Sequence, residues 1–261
     1  MRRVSVVGIG AGDPDDITVA AVKALAGSDV LFVIDKPGAR SDLATARREI
    51  VARHVPGGED RIVAVRDPER DRAADAYVEA VEDWRRRRAD AWERHLRNDL
   101  DDGARGAFLV WGDPSLYDST IAVLDDVAAR GSVAFELDVL PGISAIAALT
   151  ARHRIALNRI GGAVQITTGR RLAQGFPAEA DDVVVMLDAG CAFAGVDPDA
   201  EIYWGAYLGT GDELLVSGRV GDVAGEIALV RAQARERKGW IMDTYLLRRP
   251  SDRGPRQTAD G

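Results

Sequence analysis

Three short segments in the N-terminal half of the chain are predicted strands, and each ends in a turn of glycine and proline. The segments cover residues 4–10, 107–111 and 133–140. Short segments of this kind bounded by turn residues are typical of strands, and the helical stretches predicted between them favour a parallel α/β sheet. Because open α/β sheets bind ligands outside the carboxyl ends of their strands, these turns are the candidate binding loops.

The same pattern predicts a first α/β domain over residues 1–152. Thr18 is placed to cap the first helix, and Asp67-Pro68 is typical of a helix start. Ser144 to Ala151 is also predicted to be helical. Further strands are predicted at 30–34 and 62–65, and a long polar helix at 72–100.

After residue 152 the pattern changes to a smaller mixed sheet. Residues 152–162 combine charges with a Gly-Gly pair and are predicted to form a linker. The second domain is predicted over 163–249, and the polar segment 250–261 is predicted to be a disordered tail. Its predicted elements are strands at 164–167, 183–187, 202–207, 213–216 and 241–247 and one helix at 223–237.

Composition excludes several classes of protein. The net charge of −8 argues against binding nucleic acid by phosphate neutralisation, and no apolar run approaches the roughly eighteen residues of a membrane span. The single cysteine, Cys191, excludes a disulfide framework, and the three histidines are scattered, so no metal site is predicted. The first residues resemble a short signal peptide, but an acidic turn follows at once, so we expect a buried strand and a cytoplasmic protein.

The basic residues are almost all arginine. Lys23, Lys36 and Lys238 are the only lysines among 34 basic residues, which leaves 31 arginines. Arginine binds carboxylates through two parallel hydrogen bonds, but a GC-rich coding sequence gives the same bias. Only the positions of individual arginines can therefore indicate a carboxylate-binding site.

The opening loop, Gly8-Ile-Gly10-Ala-Gly12-Asp13-Pro14, is close to a dinucleotide-binding loop. That loop needs Gly-x-Gly-x-x-Gly and an acidic residue about twenty positions later. Asp35 supplies the acid, but Asp13 stands where the third glycine belongs and would repel a pyrophosphate. An NAD(P)-dependent oxidoreductase is therefore an alternative to a site for a cationic or neutral ligand.

The second and third loops repeat this chemistry and, with the first, resemble a known family. They read Gly112-Asp-Pro-Ser-Leu-Tyr117 and Pro141-Gly-Ile-Ser-Ala145. In this order the three motifs resemble the tetrapyrrole (class III) S-adenosylmethionine methyltransferases, over nearly the whole chain to about residue 249. Longer strings suggest one particular member, among them those at 66–72, 108–120, 166–172, 203–209 and 238–245.

The resemblance implies a fold, a cofactor and an activity. Members of the family have two α/β domains with the ligand cleft between them, form homodimers, and methylate a ring carbon of a tetrapyrrole from S-adenosylmethionine. The glycine-rich opening implies substrate contacts at Gly10, Gly12, Asp13 and Pro14. The matching cofactor-binding positions are Gly112, Asp113, Tyr117, Ile143, Ser144, Ala145, Met186, Ala206, Asp243 and Thr244.

Other candidate residues come from chemistry. Asp35, Tyr117 and His153 are candidates for moving a proton. Arg170 and Arg171 follow a predicted strand and are candidates for binding the substrate's carboxylates. A second carboxylate-binding hypothesis concerns the basic helix, where Arg88, Trp92 and His95 share one face.

Three alternatives stay open on the sequence. They are a family member with a different tetrapyrrole substrate, the NAD(P)-dependent oxidoreductase, and a tetrapyrrole carrier without catalytic activity.

Overall fold

The computed structural model describes residues 1–35, 41–68 and 77–250. The chain divides into two compact units, one of Met1–Ala145 with Gly209–Gly211 and one of the remaining residues from Ile146 onwards. Among the described residues, no helix is long and apolar enough to cross a membrane. The predicted tail from residue 251 onwards lies outside the described part of the chain.

The first unit is built on a five-stranded parallel sheet, which confirms the predicted sheet type. Its strand order is β3-β2-β4-β1-β5. Because every strand runs in the same direction, the loops after β4, β1 and β5 leave neighbouring strands at one edge of the sheet. The strands are β1 (Arg2–Gly8), β2 (Val30–Asp35), β3 (Ile62–Arg66), β4 (Arg105–Val110) and β5 (Phe135–Leu140).

Helices cover both faces of this sheet. Thr18 accepts a hydrogen bond from the amide of Ala21 at 3.1 Å, which confirms the predicted cap. On one face Trp92 and Phe108 stack with ring centroids 4.8 Å apart. The described helices are α1 (Val19–Ala26), α2 (Ser41–His54), α3 (Tyr77–Asn98) and α4 (Thr120–Arg130).

Two helices of the first unit depart from the sequence prediction. Helix α2 was missed, because its only large apolar residues are Leu43, Ile50 and Val51 and its sequence is rich in arginine. The long helix predicted from residue 72 is described from Tyr77 to Asn98, and the predicted residues 72–76 lie outside the described part of the chain.

The second unit contains the predicted mixed sheet, in the order β6-β7-β10-β8-β9. Strands β6 and β7 are parallel, and the other neighbouring pairs are antiparallel. The strands are β6 (Val164–Thr168), β7 (Asp182–Met186), β8 (Glu201–Ala206), β9 (Leu214–Arg219) and β10 (Asp243–Arg248). The helices are α5 (Ala145–His153), α6 (Gly169–Leu172) and α7 (Val220–Lys238).

The units divide at a different residue from the one predicted. The sequence placed helix α5 in the first domain and the boundary at residue 152, whereas the compact units divide between Ala145 and Ile146. The reason is that α5 packs on β8. His153 Nε2 donates to the carbonyl of Trp204 at 3.0 Å, and a Cβ on Gly205 would lie 2.9 Å from Leu149 Cδ1.

Candidate cofactor-binding site

The three predicted loops of the first unit contact one another. The amide of Gly112 donates to the carbonyl of Gly10 at 2.8 Å, which joins the middle loop to the opening loop. The amide of Gly142 donates to Asp113 Oδ2 at 2.9 Å, which joins the third loop to the middle loop. The structure therefore brings together the sequence motifs that follow β1, β4 and β5.

Two glycines allow this close approach. A Cβ on Gly142 would lie 2.1 Å from the carbonyl oxygen of Gly112, and a Cβ on Gly8 would lie 2.5 Å from the amide of Gly142. Both neighbours are backbone atoms of other loops, so they cannot rotate away as a side chain could. Only glycine at positions 8 and 142 lets the three loops meet.

The carboxylate of Asp113 holds the loops together. It accepts hydrogen bonds from the amide and hydroxyl of Ser115 and from the amide of Gly142. Partial burial works to raise the pKa of Asp113, but the hydrogen bonds from Ser115 and Gly142 outweigh it and leave the pKa below its ordinary value. Asp113 is thus a fixed negative charge at neutral pH, and its oxygens are used as hydrogen-bond acceptors within the loops.

The middle loop leaves open space beside its backbone. Gly112 is buried with a φ of +68°, yet the nearest atom to a Cβ built on it is the amide nitrogen of Ala145 at 4.0 Å. Tyr117 also has a positive φ, +50°, and the residue is 48% exposed. Strained backbone of this kind concentrates at binding sites. Ile143, Ser144 and Ala145 are partly exposed next to the same loop.

The opening loop is held against helix α2. Gly10 and Gly12 are buried, whereas Asp13 and Pro14 are partly exposed. Asp13 Oδ1 accepts from the amide of Asp15 at 2.9 Å, and His54 Nε2 donates to the carbonyl of Pro14 at 2.8 Å. Direct substrate contact by these four predicted residues stays a prediction.

The strand order contradicts the dinucleotide-binding alternative. In the Rossmann sheet β1 and β2 are neighbours, so the acid after β2 lies beside the glycine loop after β1. Here β4 separates them, and Asp35 ends a strand that is not adjacent to β1. Helix α1 begins only at Val19, after an acidic turn, so the glycines of the opening loop do not start the helix.

The predicted cofactor residues of the second unit meet at one edge of its sheet. Met186, the last residue of β7, pairs with Thr244 of β10, and Asp243 pairs with Ala206 of β8. Met186 is partly exposed, but Ala206 and Thr244 are buried. Direct cofactor contact by these residues stays a prediction.

The carboxylate of Asp243 is used inside the second unit. Its Oδ2 accepts hydrogen bonds from Arg231 Nε at 2.8 Å and from Trp204 Nε1 at 3.0 Å. The side chains of Asp243 and Arg231 are 4% and 8% exposed, so this is a buried ion pair. Its carboxylate is therefore engaged by Arg231 and Trp204 inside the second unit.

The exposure of Leu187 was not predicted from the sequence. It directly follows Met186, has a φ of +56°, and exposes 66% of its surface. The next residue, Asp188, is buried and accepts hydrogen bonds from Tyr245 Oη at 2.7 Å and from the amide of Ala192 at 2.7 Å. Because Asp188 fixes the turn, Leu187 is forced outward. In the sequence it looked like the end of a core strand.

The remaining candidates lie at several places. Arg170 and Arg171 are exposed on α6, directly after Thr168, which pairs with Met186. Asp35 is partly exposed at the end of β2. Partly buried His153 packs edge-on against Tyr203, with ring centroids 5.6 Å apart.

The hypothesis that helix α3 binds carboxylates through one face is wrong for Arg88 and Trp92. Arg88 is 3% exposed and forms an ion pair with Asp67, so its guanidinium does not reach solvent. Trp92 is fully buried, and His95 Nδ1 lies 2.7 Å from Asp99. Arg88 and Trp92 lie on the core face of the helix, whereas His95 is partly exposed. Among the described residues, no group of three or more His, Cys, Asp and Glu side chains is placed to bind a metal ion.

Residues 3–224 match the family model of the tetrapyrrole (corrin/porphyrin) methylases. The chain therefore belongs to the tetrapyrrole methylase family and is a methyltransferase. It is 50% identical over 253 residues, covering 97% of either chain, to the precorrin-6A synthase (deacetylating) of a Sinorhizobium species. The family resemblance and the two-sheet α/β fold class predicted from the sequence are thereby confirmed.

Solved structures of tetrapyrrole-modifying proteins have a similar fold. A cobalamin synthesis related protein (CobF) from Corynebacterium diphtheriae superposes with a TM-score of 0.83 and 38% identity, covering 95% of this chain and 98% of that one. A uroporphyrin-III C-methyltransferase from Thermus thermophilus, complexed with S-adenosylhomocysteine, has a TM-score of 0.57 and 19% identity, covering 94% of this chain and 96% of that one. The second likeness concerns the fold alone.

We expect Gly112→Ala to weaken cofactor binding while the protein stays folded. The new methyl group meets no protein atom closer than 4.0 Å, so it fills the open space beside the loop. A non-glycine residue at this φ costs about 1–2 kcal/mol of backbone strain. We expect the dissociation constant for S-adenosylhomocysteine, measured by calorimetry, to rise about tenfold, or about 1.4 kcal/mol.

Gly131→Ala is the matched control. Gly131 has the same φ of +68° at the end of α4 and open space around it. It should show the same strain by thermal melting and wild-type affinity. Equal affinities for wild type and both variants would remove Gly112 from the site.

Proposed function

We propose that this chain transfers a methyl group from S-adenosylmethionine to C1 of precorrin-5, with loss of an acetyl group as acetate, to give precorrin-6A in aerobic cobalamin biosynthesis. The observation that carries the proposal is the 50% identity to the Sinorhizobium enzyme over 97% of both chains.

The first unit fits the cofactor. S-adenosylmethionine, when bound, supplies a methyl group on a sulfonium cation. Gly112 offers bare backbone beside open space, which a Cβ would fill, and Asp113 keeps a negative charge in the same loop. Backbone and charge together suit a cationic ligand that is held in one orientation.

Orientation is the main catalytic contribution of these residues. A ring carbon of a precorrin is already electron-rich, so no covalent enzyme nucleophile is needed. Holding two reactants in line can supply roughly 7–11 kcal/mol. The interlocked loops, fixed by the Gly112–Gly10 and Gly142–Asp113 hydrogen bonds, are rigid enough to hold a ligand in this way.

Loss of the acetyl group as acetate breaks the bond between the acetyl carbon and the ring, whose conjugated system takes up the electron pair, and the attacking water needs a proton acceptor. We propose that it is one of Asp35, Tyr117 and His153. The ring of Tyr117 is exposed in the middle loop. His153 donates from Nε2 to a backbone carbonyl, so its basic atom is Nδ1. Acetate release, measured apart from methyl transfer, isolates the effect of replacing each residue.

Incubation with precorrin-5 and methyl-labelled S-adenosylmethionine tests the proposal. The expected result is one labelled methyl group in the product and one acetate released per turnover. Turnover of another tetrapyrrole but not precorrin-5 would assign a different member of the family. Pigment binding without any cofactor-dependent change in mass would identify a carrier.

We also propose that the protein is cytoplasmic and that it is a homodimer, as the family resemblance implies. Light scattering at micromolar concentration should then give twice the chain mass of 28.0 kDa. A monomer mass under those conditions would contradict this.

A further inference from the structure

Helix α4 begins at a serine whose hydroxyl does not cap it. Ser119 occupies the N-cap position but makes no capping hydrogen bond. Its Oγ instead accepts a hydrogen bond from Arg88 Nη1 at 2.5 Å. The neighbouring Asp118 Oδ1 accepts from the amide of Thr120 at 2.6 Å. The end of the middle loop, residues 112–119, is thus tied to a side chain of helix α3.

Arg88 is held on every side. Its guanidinium lies between the rings of Trp84 and Trp92, 4.7 Å from each centroid. Its Nε lies 2.6 Å from Asp67 Oδ1, and the side chains of both residues are 4% exposed. Trp84 is fixed in turn, since its Nε1 donates to the carbonyl of Pro68 at 2.8 Å. Arg88 therefore forms a rigid anchor for Ser119.

A second buried arginine supports the start of the same loop. Strand β2 pairs with β4 as far as Phe32 and Phe108. One residue further, the carbonyl of Leu109 accepts from Arg47 Nε at 3.1 Å. Burial lowers the pKa of Arg47 to about 10, against the opposing charges of Asp118 and Asp67. The middle loop thus starts just after one buried arginine contact and ends at another.

Stability does not explain this arrangement. Replacing a buried ion pair by apolar residues of similar volume is often neutral or stabilising, because the free energy of removing both charges from water offsets much of their attraction. A fixed hydrogen-bond donor does what an apolar residue cannot: it selects one position for its acceptor. Between the two contact points, Leu109 and Ser119, lie Gly112 and Tyr117. Both have a positive φ, a conformation that the surrounding structure must enforce.

We propose that Arg88 is a positioning residue for methyl transfer: through its hydrogen bond to Ser119 it holds the loop 112–119 in the conformation that binds the cofactor. This inference rests on the proposed function, in which that loop binds S-adenosylmethionine. Arg88 itself is buried and does not touch a ligand.

Ser119→Ala tests the inference, because it removes the tether and leaves the Arg88–Asp67 pair in place. We expect the dissociation constant for S-adenosylhomocysteine and the KM for S-adenosylmethionine to rise three- to tenfold, with kcat changed less than twofold. Ser119→Thr restores a hydroxyl at the same position and should return both constants towards wild type. Circular dichroism confirms that each variant is folded.

Ser132→Ala is the matched control. Ser132 Oγ donates to Glu93 Oε1, also on helix α3, at the protein surface. This variant also loses a hydrogen bond between a serine hydroxyl and a charged side chain of α3, without touching the loop, so its KM should equal that of wild type.

The outcomes are distinguishable. If wild type binds S-adenosylhomocysteine and Ser119→Ala binds it equally well, or if Ser119→Thr fails to recover, the positioning role is overturned while the proposed function stands. If wild type itself does not bind S-adenosylhomocysteine, the proposed function fails and the inference fails with it.

Discussion

Replacing Gly142 by alanine is expected to abolish cofactor binding and to destabilise the first unit. The added Cβ would lie 2.1 Å from the carbonyl oxygen of Gly112 and 2.7 Å from the carbonyl carbon of Gly8, so the three loops must separate. Overpacking of this severity costs about 3 kcal/mol or more. We expect affinity for S-adenosylhomocysteine to fall at least about a hundredfold, or about 2.7 kcal/mol.

Calorimetric titration and thermal melting check both parts of this expectation. Gly225→Ala adds the same methyl group to helix α7, where nothing lies within 4 Å of it, and should keep wild-type affinity with equal or higher thermal stability. Gly112→Ala should lose affinity while staying folded. A Gly142→Ala protein that binds S-adenosylhomocysteine like wild type would show that the loops are not interlocked in solution.

Replacing both Arg170 and Arg171 by glutamine is expected to raise the KM for the tetrapyrrole at least tenfold. Precorrin-5 carries several carboxylates, and the chain has a net charge of −8, so the overall field opposes binding. Local positive charge must reverse that field where the substrate binds. Each charge-assisted hydrogen bond contributes about 1.5–3 kcal/mol, so losing these contacts should weaken substrate binding while cofactor affinity stays unchanged.

Steady-state kinetics at several salt concentrations check this result, since fewer ion pairs should flatten the salt dependence of KM. The double variant Arg86→Gln, Arg87→Gln is the control. Both arginines are exposed on α3 and contact Asp83. If the Arg86/Arg87 variant raises KM and the Arg170/Arg171 variant does not, the substrate's carboxylates bind at α3 instead.

Much of the fold followed from local pattern. Apolar runs ended by turn residues located β1, β2, β4 and β7 closely, and the capping position of Thr18 located the start of α1. Helix α2 was missed because an arginine-rich helix with a narrow apolar stripe gives a weak periodic signal. Helix α5 was detected, but the unit it packs on depends on Trp204 and Gly205, far along the chain.

The sequence predicted which residues lie in the candidate loops, but only partly which contacts their side chains make. The motifs identified Gly112, Asp113 and Gly142 as loop residues, and spacing on α3 grouped Arg88 with Trp92 and His95. A charged residue on a helix face looks solvated in sequence, so burial of Arg88 between two tryptophans was not predicted. Leu187 was hidden for the opposite reason, since an apolar residue after a buried strand looks like core.

The sequence by itself determined where strands end and which loops carry glycine, because strand length and turn chemistry are properties of neighbouring residues. It also determined the family, since three motifs in a fixed order are specific. Only the tertiary structure decided which partner each charge takes. Asp113 joins two loops, Asp243 pairs with Arg231, and Arg88 holds Ser119. Each of these contacts joins residues distant in the chain, and their burial, which sets the strength of a charge contact, exists only once the sheet has formed.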